Sequence, residues 1–292
     1  MRFQLLLSAL LLPASLAAQA TATRSLPLNA DAAVKIHNMT GPVVVHAWAE
    51  DSIKVNSTGN RGRLFMGGSR RGVKLGYETP PDVKGSGSLE IWLPATARLW
   101  VMTAAGRVTI SGMNGTVEVA STSGDISITG APREVRAESM DGKVTLDVRS
   151  TWVRSRTASG AINLTGSAGN VVAESVSGDV EVAMLGVRRA RLESVTGDIR
   201  WLGTLDDDAS LDVETHAGAI EVRLEPALTM QLDVNAYQSA IRNDYAASAT
   251  ISSTGGQGSE LHYTRGDSGA DVTVRTFKGT VLLAPRKDMA SQ

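Results

Sequence analysis

The sequence predicts an all-β protein, a single-stranded β-solenoid (β-helix) with coils of about 18–21 residues and irregular β caps at both ends, and three observations carry that prediction. A phrase of the form apolar-x-apolar-x-(Ser/Thr)-x-x-Gly-x-(Val/Ile)-x-apolar recurs between Leu99 and Val222, with its glycine at 106, 124, 142, 160, 178, 197 and 218. Within each copy apolar and polar residues alternate, the period of a strand with one buried face. The copies also keep a nearly constant length, with steps of 18, 18, 18, 18, 19 and 21 residues. A meander of hairpins has no need of such constancy. Coils stacked in parallel about 4.8 Å apart do need it, because equivalent residues then pile up along one axis.

Two columns lie before the glycine, Leu99/Val117/Val135/Val153/Val171/Ala190/Leu211 and Val101/Val119/Ala137/Ser155/Ala173/Leu192/Val213. Two lie after it, Val108/Ile126/Val144/Ile162/Val180/Ile199/Ile220 and Ile110/Ile128/Leu146/Leu164/Val182/Trp201/Val222. These four columns are the expected core, and each coil is expected to hold two short strands, one on either side of the glycine. The turn glycines, Gly41, Gly106, Gly124, Gly142, Gly160, Gly178, Gly197, Gly218 and Gly279, are expected to supply a tight bend or a positive φ. Second corners are expected near Gly115, Gly130, Gly166–Gly169 and Gly186. Three residues before the glycine stands a hydroxyl in each copy, Thr103, Ser121, Ser139, Thr157, Ser175, Ser194 and Thr215, a ladder suited to satisfying turn backbone groups. A single copy cannot bury its own apolar face, so stability must come from neighbours and end caps.

In chain order, residues 1–20 read as a secretory signal peptide, with Arg2 before the apolar run Leu5–Leu12 and cleavage choices at Ala17, Ala18 and Ala20. No later stretch is long and apolar enough to span a bilayer, so the mature chain is expected to be exported, to the periplasm, the cell surface or the medium. Residues 21–98 form an N-terminal β cap. It holds a first coil, Val34, Ile36, Asn38, Gly41, Val43 and Val45, and an Arg/Gly-rich loop insert at 57–71. Arg61, Arg63, Arg70 and Arg71 of that insert flank Phe65 and Met66. They are candidate contacts for an acidic glycan, a lipid head group or a partner, set against a simple solvated loop. Residues 99–285 form the repeat region. Its rhythm loosens through Leu232–Ile241, a longer loop is expected at 246–259, and a clear final copy runs from Val272 to Leu283. Residues 286–292 read as a polar tail.

Composition narrows function by exclusion. With 29 basic and 30 acidic side chains and a formal net charge of -1, nothing points to nucleic acid. Without cysteine there is no disulfide, thiolate metal site or lipidated N-terminal cysteine. His37, His46, His216 and His262 lack metal-ligand spacing, and neither a metal nor a cofactor is predicted. Gly266-Asp267-Ser268-Gly269 matches a protease nucleophile motif over four residues, with no histidine motif to serve it. Asp179 and Asp198 fall in one column on adjacent coils. They are the one carboxylate pair that keeps open a polysaccharide lyase or hydrolase on the same scaffold.

The segments Asn38-Met39-Thr40-Gly41-Pro42-Val43-Val44-Val45, Ser121-Thr122-Ser123-Gly124-Asp125-Ile126 and Ser175-Val176-Ser177-Gly178-Asp179-Val180, together with Trp48, resemble a bacterial family. It is the exported β-strand-repeat domain of unknown function labelled "putative adhesin". The resemblance covers nearly all of the expected mature chain. It implies a single-stranded β-solenoid with an adhesive or envelope role, and it brings no catalytic residues with it. The Arg-rich insert is not part of it. The partner stays open among a glycan, the cell envelope and another protein. A non-enzymatic binding protein is therefore the leading expectation. A carbohydrate-active enzyme and an end-to-end polymerising structural protein are the alternatives.

Overall fold

The computed structural model describes residues 20–59, 62–78, 87–254 and 258–286. The signal-peptide reading of 1–20 therefore falls almost wholly outside the described residues, as do Arg61 and most of the tail. The described residues form 25 strands and no helix. Among the described residues no helix is long and apolar enough to cross a membrane.

Strands before each repeat glycine pair in parallel with their equivalents one copy away, as Val117 does with Leu99 and Val135. Strands after it do the same, as Ile126 does with Val108 and Val144. We call these the leading and trailing ladders. Every residue of the four expected core columns from Leu99 to Val222 is buried between them. Alternation thus decides which side chains face in, and constant spacing decides what each one lands on.

The repeat glycines stand in bends, as expected, but positive φ is not the general reason for them. Only Gly41 and Gly279, at the two ends of the column, have positive φ, 97° and 134°. The seven between them do not. Instead the turns pack so closely that a Cβ on Gly124 would sit 2.1 Å from the carbonyl oxygen of Gly106, and one on Gly142 would sit 2.2 Å from that of Gly124. The same clash recurs through Gly160, Gly178, Gly197, Gly218 and Gly279. The column is an array of backbones in mutual contact, and a side chain there would force two copies apart. The hydroxyls three residues earlier finish the turn. The N–H groups of Gly106, Gly124, Gly142, Gly178, Gly197 and Gly218 donate to Thr103, Ser121, Ser139, Ser175, Ser194 and Thr215 at 2.8–3.2 Å. Thr157 instead donates to the Gly160 carbonyl at 2.6 Å.

Two strands are longer than expected. Val144–Thr157 and Ile162–Ser175 each run 14 residues, trailing strand of one copy into leading strand of the next. The expected corner at Gly166–Gly169 is therefore a bend within a strand, with Gly166 at φ 104°.

Chain order and spatial order part at both ends. Ala33–Asn38 pairs with Arg98–Thr103 on one side and Gly72–Glu78 on the other, so the first copy lies second in the stack. Likewise Ala270–Thr276 lies between Leu205–Thr215 and Met230–Ala236, and the final copy is inserted beneath the one that precedes it in sequence. Antiparallel strands then cover the exposed ladder edges. At the N-terminal end these are Ser52–Gly59, Ala20–Pro27 and Arg63–Ser69. At the other end they are Gly258–Arg265 and Ile251–Thr254. Two expected loops are thus corrected: 57–71 is largely the end of one strand and a hairpin, and 246–259 contains strand. Both serve the same physical need, pairing an edge that would otherwise recruit another chain.

Candidate functional site

The outward side of the leading ladder carries most of the molecule's unusual chemistry. Through its middle and C-terminal part most of the cations are paired, Arg188 and Arg189 being exposed and without an ion pair among the described residues. Arg136 lies 2.7 Å from Glu138, Arg154 lies 3.5 Å from Glu174 with Arg156 bonded to the same carboxylate, and Arg191 is paired with Glu193. Arg275 reaches Asp212 at 3.3 Å and Glu214 at 3.7 Å. Burial pushes Glu174 upward, but the Arg156 hydrogen bond and the charges of Arg156 and Arg154 outweigh it, holding the carboxyl below its ordinary range.

The N-terminal end of the same face differs. Lys74 and Lys35 stand side by side on paired strands, and Lys35 stands next to Trp100, which stands next to Glu118. One step along the strands the row reads Gly72, Ala33, Arg98. The small Ala33 leaves a hollow beside the larger residues, a cleft of about 380 Å³ lined in part by Ala33, Lys35, Arg98, Trp100, Thr116 and Glu118. The Lys35 ammonium lies 5.8 Å from the Trp100 ring centroid, and the His37 ring meets that indole edge-on at 5.0 Å. Burial first, then the charges of Lys74 and Lys35, hold the His37 imidazole below its ordinary pKa, so the local potential is positive.

Of the four arginines picked out from the sequence, the structure brings two here. Arg70 and Arg71 form the turn of the hairpin, where their carbonyls accept from Asn29 N–H at 2.8 Å and Ala33 N–H at 3.1 Å. Arg63 is at the far end of the hairpin, 3.7 Å from Glu78, and Arg61 lies outside the described residues. Among the described residues, Lys35, Lys74, Arg70, Arg71 and Arg98 form no ion pair. The lysines, Arg98 and Trp100 were not singled out in the sequence. The available signal was that 35 and 100 share the repeat column six residues before the glycine.

The catalytic candidates are occupied otherwise. Asp179 accepts the backbone N–H of Asp198 at 3.0 Å, and Asp198 accepts that of Ala219 at 2.8 Å. Asp125 accepts that of Lys143 at 3.0 Å. This column bridges one turn to the next. Among the described residues no group of three or more His, Cys, Asp or Glu side chains could hold a metal ion.

One further surface pattern escaped the sequence reading. Two residues before the repeat glycine stand Met39, Met140, Val176 and Val195, all exposed, with Tyr237 in the equivalent place beside Ser239. Backbone bonds link their turns, Val176 N–H to Ala158 O at 3.2 Å and Val195 N–H to Val176 O at 3.1 Å. The column ends in a stack of rings, His216 on Phe277 at 4.9 Å and Tyr237 on Phe277 at 5.1 Å.

Comparison with known proteins places this architecture. Residues 153–284 match the family model Toastrack DUF4097. That segment is similar to the Toastrack family, a domain of unknown function, in line with the resemblance seen in the sequence. Among solved structures, the chain is similar to a protein from Parabacteroides distasonis titled "putative lipid binding protein", at 10% identity over 90% of this chain and 96% of that one (TM-score 0.47). It is similar to a "putative adhesin" from Bacteroides fragilis, at 12% identity over 91% and 98% (TM-score 0.46). A "putative cell adhesion protein" from Clostridium sporogenes matches at 8% identity over 92% and 100% (TM-score 0.23). No curated protein matches.

Proposed function

We propose that the chain is an exported, non-enzymatic binding or scaffold protein. In this reading it is a single-stranded β-solenoid that holds an anionic partner of the cell envelope at the basic end of its leading face. The observation that carries it is the cluster at that end: Lys74, Lys35 and Trp100 are successive neighbours on paired strands with Arg98 beside them, and none of these three cations has an ion pair among the described residues, whereas Arg136, Arg154, Arg156, Arg191 and Arg275 do. Like charges placed side by side on a sheet are destabilising unless something compensates them, and an anionic partner would. The commitment of Asp179 and Asp198 to backbone N–H groups supports a binding role over a hydrolytic one.

Sedimentation of the mature chain with isolated bacterial envelope tests this. Wild type is expected to co-sediment in a salt-sensitive way, and the double variant Lys35→Glu/Lys74→Glu to remain in the supernatant. Equal retention of both would remove the basic end from the function. Degradation of a polysaccharide by the pure chain, abolished by Asp179→Asn, would install the lyase or hydrolase reading in its place. A second reading, self-association, is favoured by the apolar corner residues Met140, Val176 and Val195, since exposed apolar side chains grouped on neighbouring turns mark a contact surface. A concentration-dependent sedimentation coefficient, lost in Val176→Ser/Val195→Ser, is its expected signature.

A further inference from the structure

We infer that the cleft over Trp100 is a subsite for an acidic sugar, a carboxylated ring within a polysaccharide, laid against the indole with its carboxylate among Lys35, Lys74 and Arg98. The inference rests on the reading of the basic end as a contact surface and names the chemistry it takes.

Three features select this ligand. First, the strand N–H groups here belong to the ladders. Gly72–Glu78, Ala33–Asn38, Arg98–Thr103 and Thr116–Ser121 are consecutive partners, so the face offers only side chains. A compact phosphate is characteristically held by converging backbone N–H groups at a turn or helix end. This face has long, separate cations instead, suited to charges spread along a chain. Second, Trp100 is half-buried and lines a cleft beside the small residue Ala33. A flat apolar ring in a shallow cleft matches the C–H face of a sugar ring, with a few charged groups to orient it. Inorganic phosphate has no use for that ring. A membrane surface takes aromatic side chains that protrude, and this one is recessed. Third, Glu118 closes the cleft one strand beyond Trp100. It confines anionic charge to the Lys74–Lys35–Arg98 side and leaves an acceptor for sugar hydroxyls on the other.

Calorimetric titration of the mature chain tests this with four probes: a galacturonic acid hexamer, a glucose hexamer, inorganic pyrophosphate, and phosphatidylglycerol vesicles. The acidic hexamer is expected to bind at least tenfold more tightly than the other three. Trp100→Ala is expected to weaken the acidic hexamer at least tenfold, as are Lys35→Gln and Arg98→Gln, while Arg154→Gln leaves it within twofold. Should Trp100→Ala fail to fold, the exposed substitution Lys35→Gln carries the test. Equal or tighter binding of pyrophosphate or vesicles overturns the inference. So does hexamer binding indifferent to both Trp100→Ala and Lys35→Gln, or no hexamer binding at all. In each case continued loss of envelope retention in Lys35→Glu/Lys74→Glu would leave the broader reading standing. Unchanged retention in that variant would take both down.

Discussion

The middle and the N-terminal end of the leading face use the same scaffold and opposite electrostatics. From Glu134 to Arg275 most outward arginines find a partner within their own strand or on a strand nearby, as Arg136 does with Glu138 and Arg275 with Asp212, while Arg188 and Arg189 have no ion pair among the described residues. At the N-terminal end Lys74 faces Lys35, and beyond Lys35 stands an indole. An exposed ion pair contributes little, roughly 0–1 kcal/mol, so the middle lattice mainly keeps the face neutral and solvated. The lesson is that charge on a repeat surface is informative where pairing stops. Counting arginines in the sequence drew attention to 61, 63, 70 and 71. The register shows that the basic surface is centred on lysines 35 and 74 instead.

The largest expected effect sharpens the difference between stack and cap. Gly142→Ala places a Cβ against the Gly124 carbonyl, a backbone group that cannot swing aside. It is expected to lose at least about 3 kcal/mol in urea unfolding. Gly67→Ala, on the N-terminal hairpin with open space around the position, is expected within about 0.5 kcal/mol of wild type. A mild Gly142→Ala would mean that neighbouring turns do not touch as described. Next in size, Ser155→Ala is expected to stabilise the middle by about 1 kcal/mol. Ser155 sits in a core column otherwise filled by Val, Ala and Leu, and its hydroxyl is buried without a partner among the described residues. A loss of stability there would reveal a partner for that hydroxyl.

Smaller again is the acid limb of Glu174. Its folded pKa lies below the unfolded one, so its contribution is present above the ordinary carboxylate range and fades as pH falls through the folded value. Glu174→Gln is expected to remove up to about 1 kcal/mol at neutral pH and to flatten the stability profile in acid. His37 supplies the counterpart at the basic end, with the opposite sense. Its folded pKa is lowered, so the fold favours the neutral ring and loses stability as pH drops through the ordinary imidazole value of 6.5. Lys74→Gln is expected to move the His37 midpoint part of the way back in an NMR titration. The recovery is partial because burial is the larger cause and remains. A midpoint unmoved by Lys74→Gln would remove the evidence for a positive potential there.

Much of the interior was legible from the chain because each signal is local. Alternation assigns Val117 and Ile126 inward, and the 18-residue step assigns their partners. What was not legible is whatever depends on order in space. Nothing in residues 270–285 announces that they insert between 205–224 and 230–243, since their pattern fits any ladder. The Arg-rich insert reads as loop because Gly59, Gly62, Gly67 and Gly68 argue against strand propensity. It forms a hairpin because an unpaired edge beside it needs covering. Trp100 was hidden for a simpler reason: its flanking cations arrive from residues 35, 74 and 98.

The glycine column also bears on how such a chain can change over evolutionary time. Each turn from Gly106 to Gly218 is seated on its predecessor through the same backbone contact, and the side chains that bridge turns, such as Asp125 and Asp179, bond to backbone N–H groups that every copy offers. A duplication or loss of 18 codons anywhere in 107–178 would therefore rebuild the same junction, lengthening or shortening the molecule by one storey. Length is then free to drift while the two dissimilar ends, each fitted once, are inherited intact.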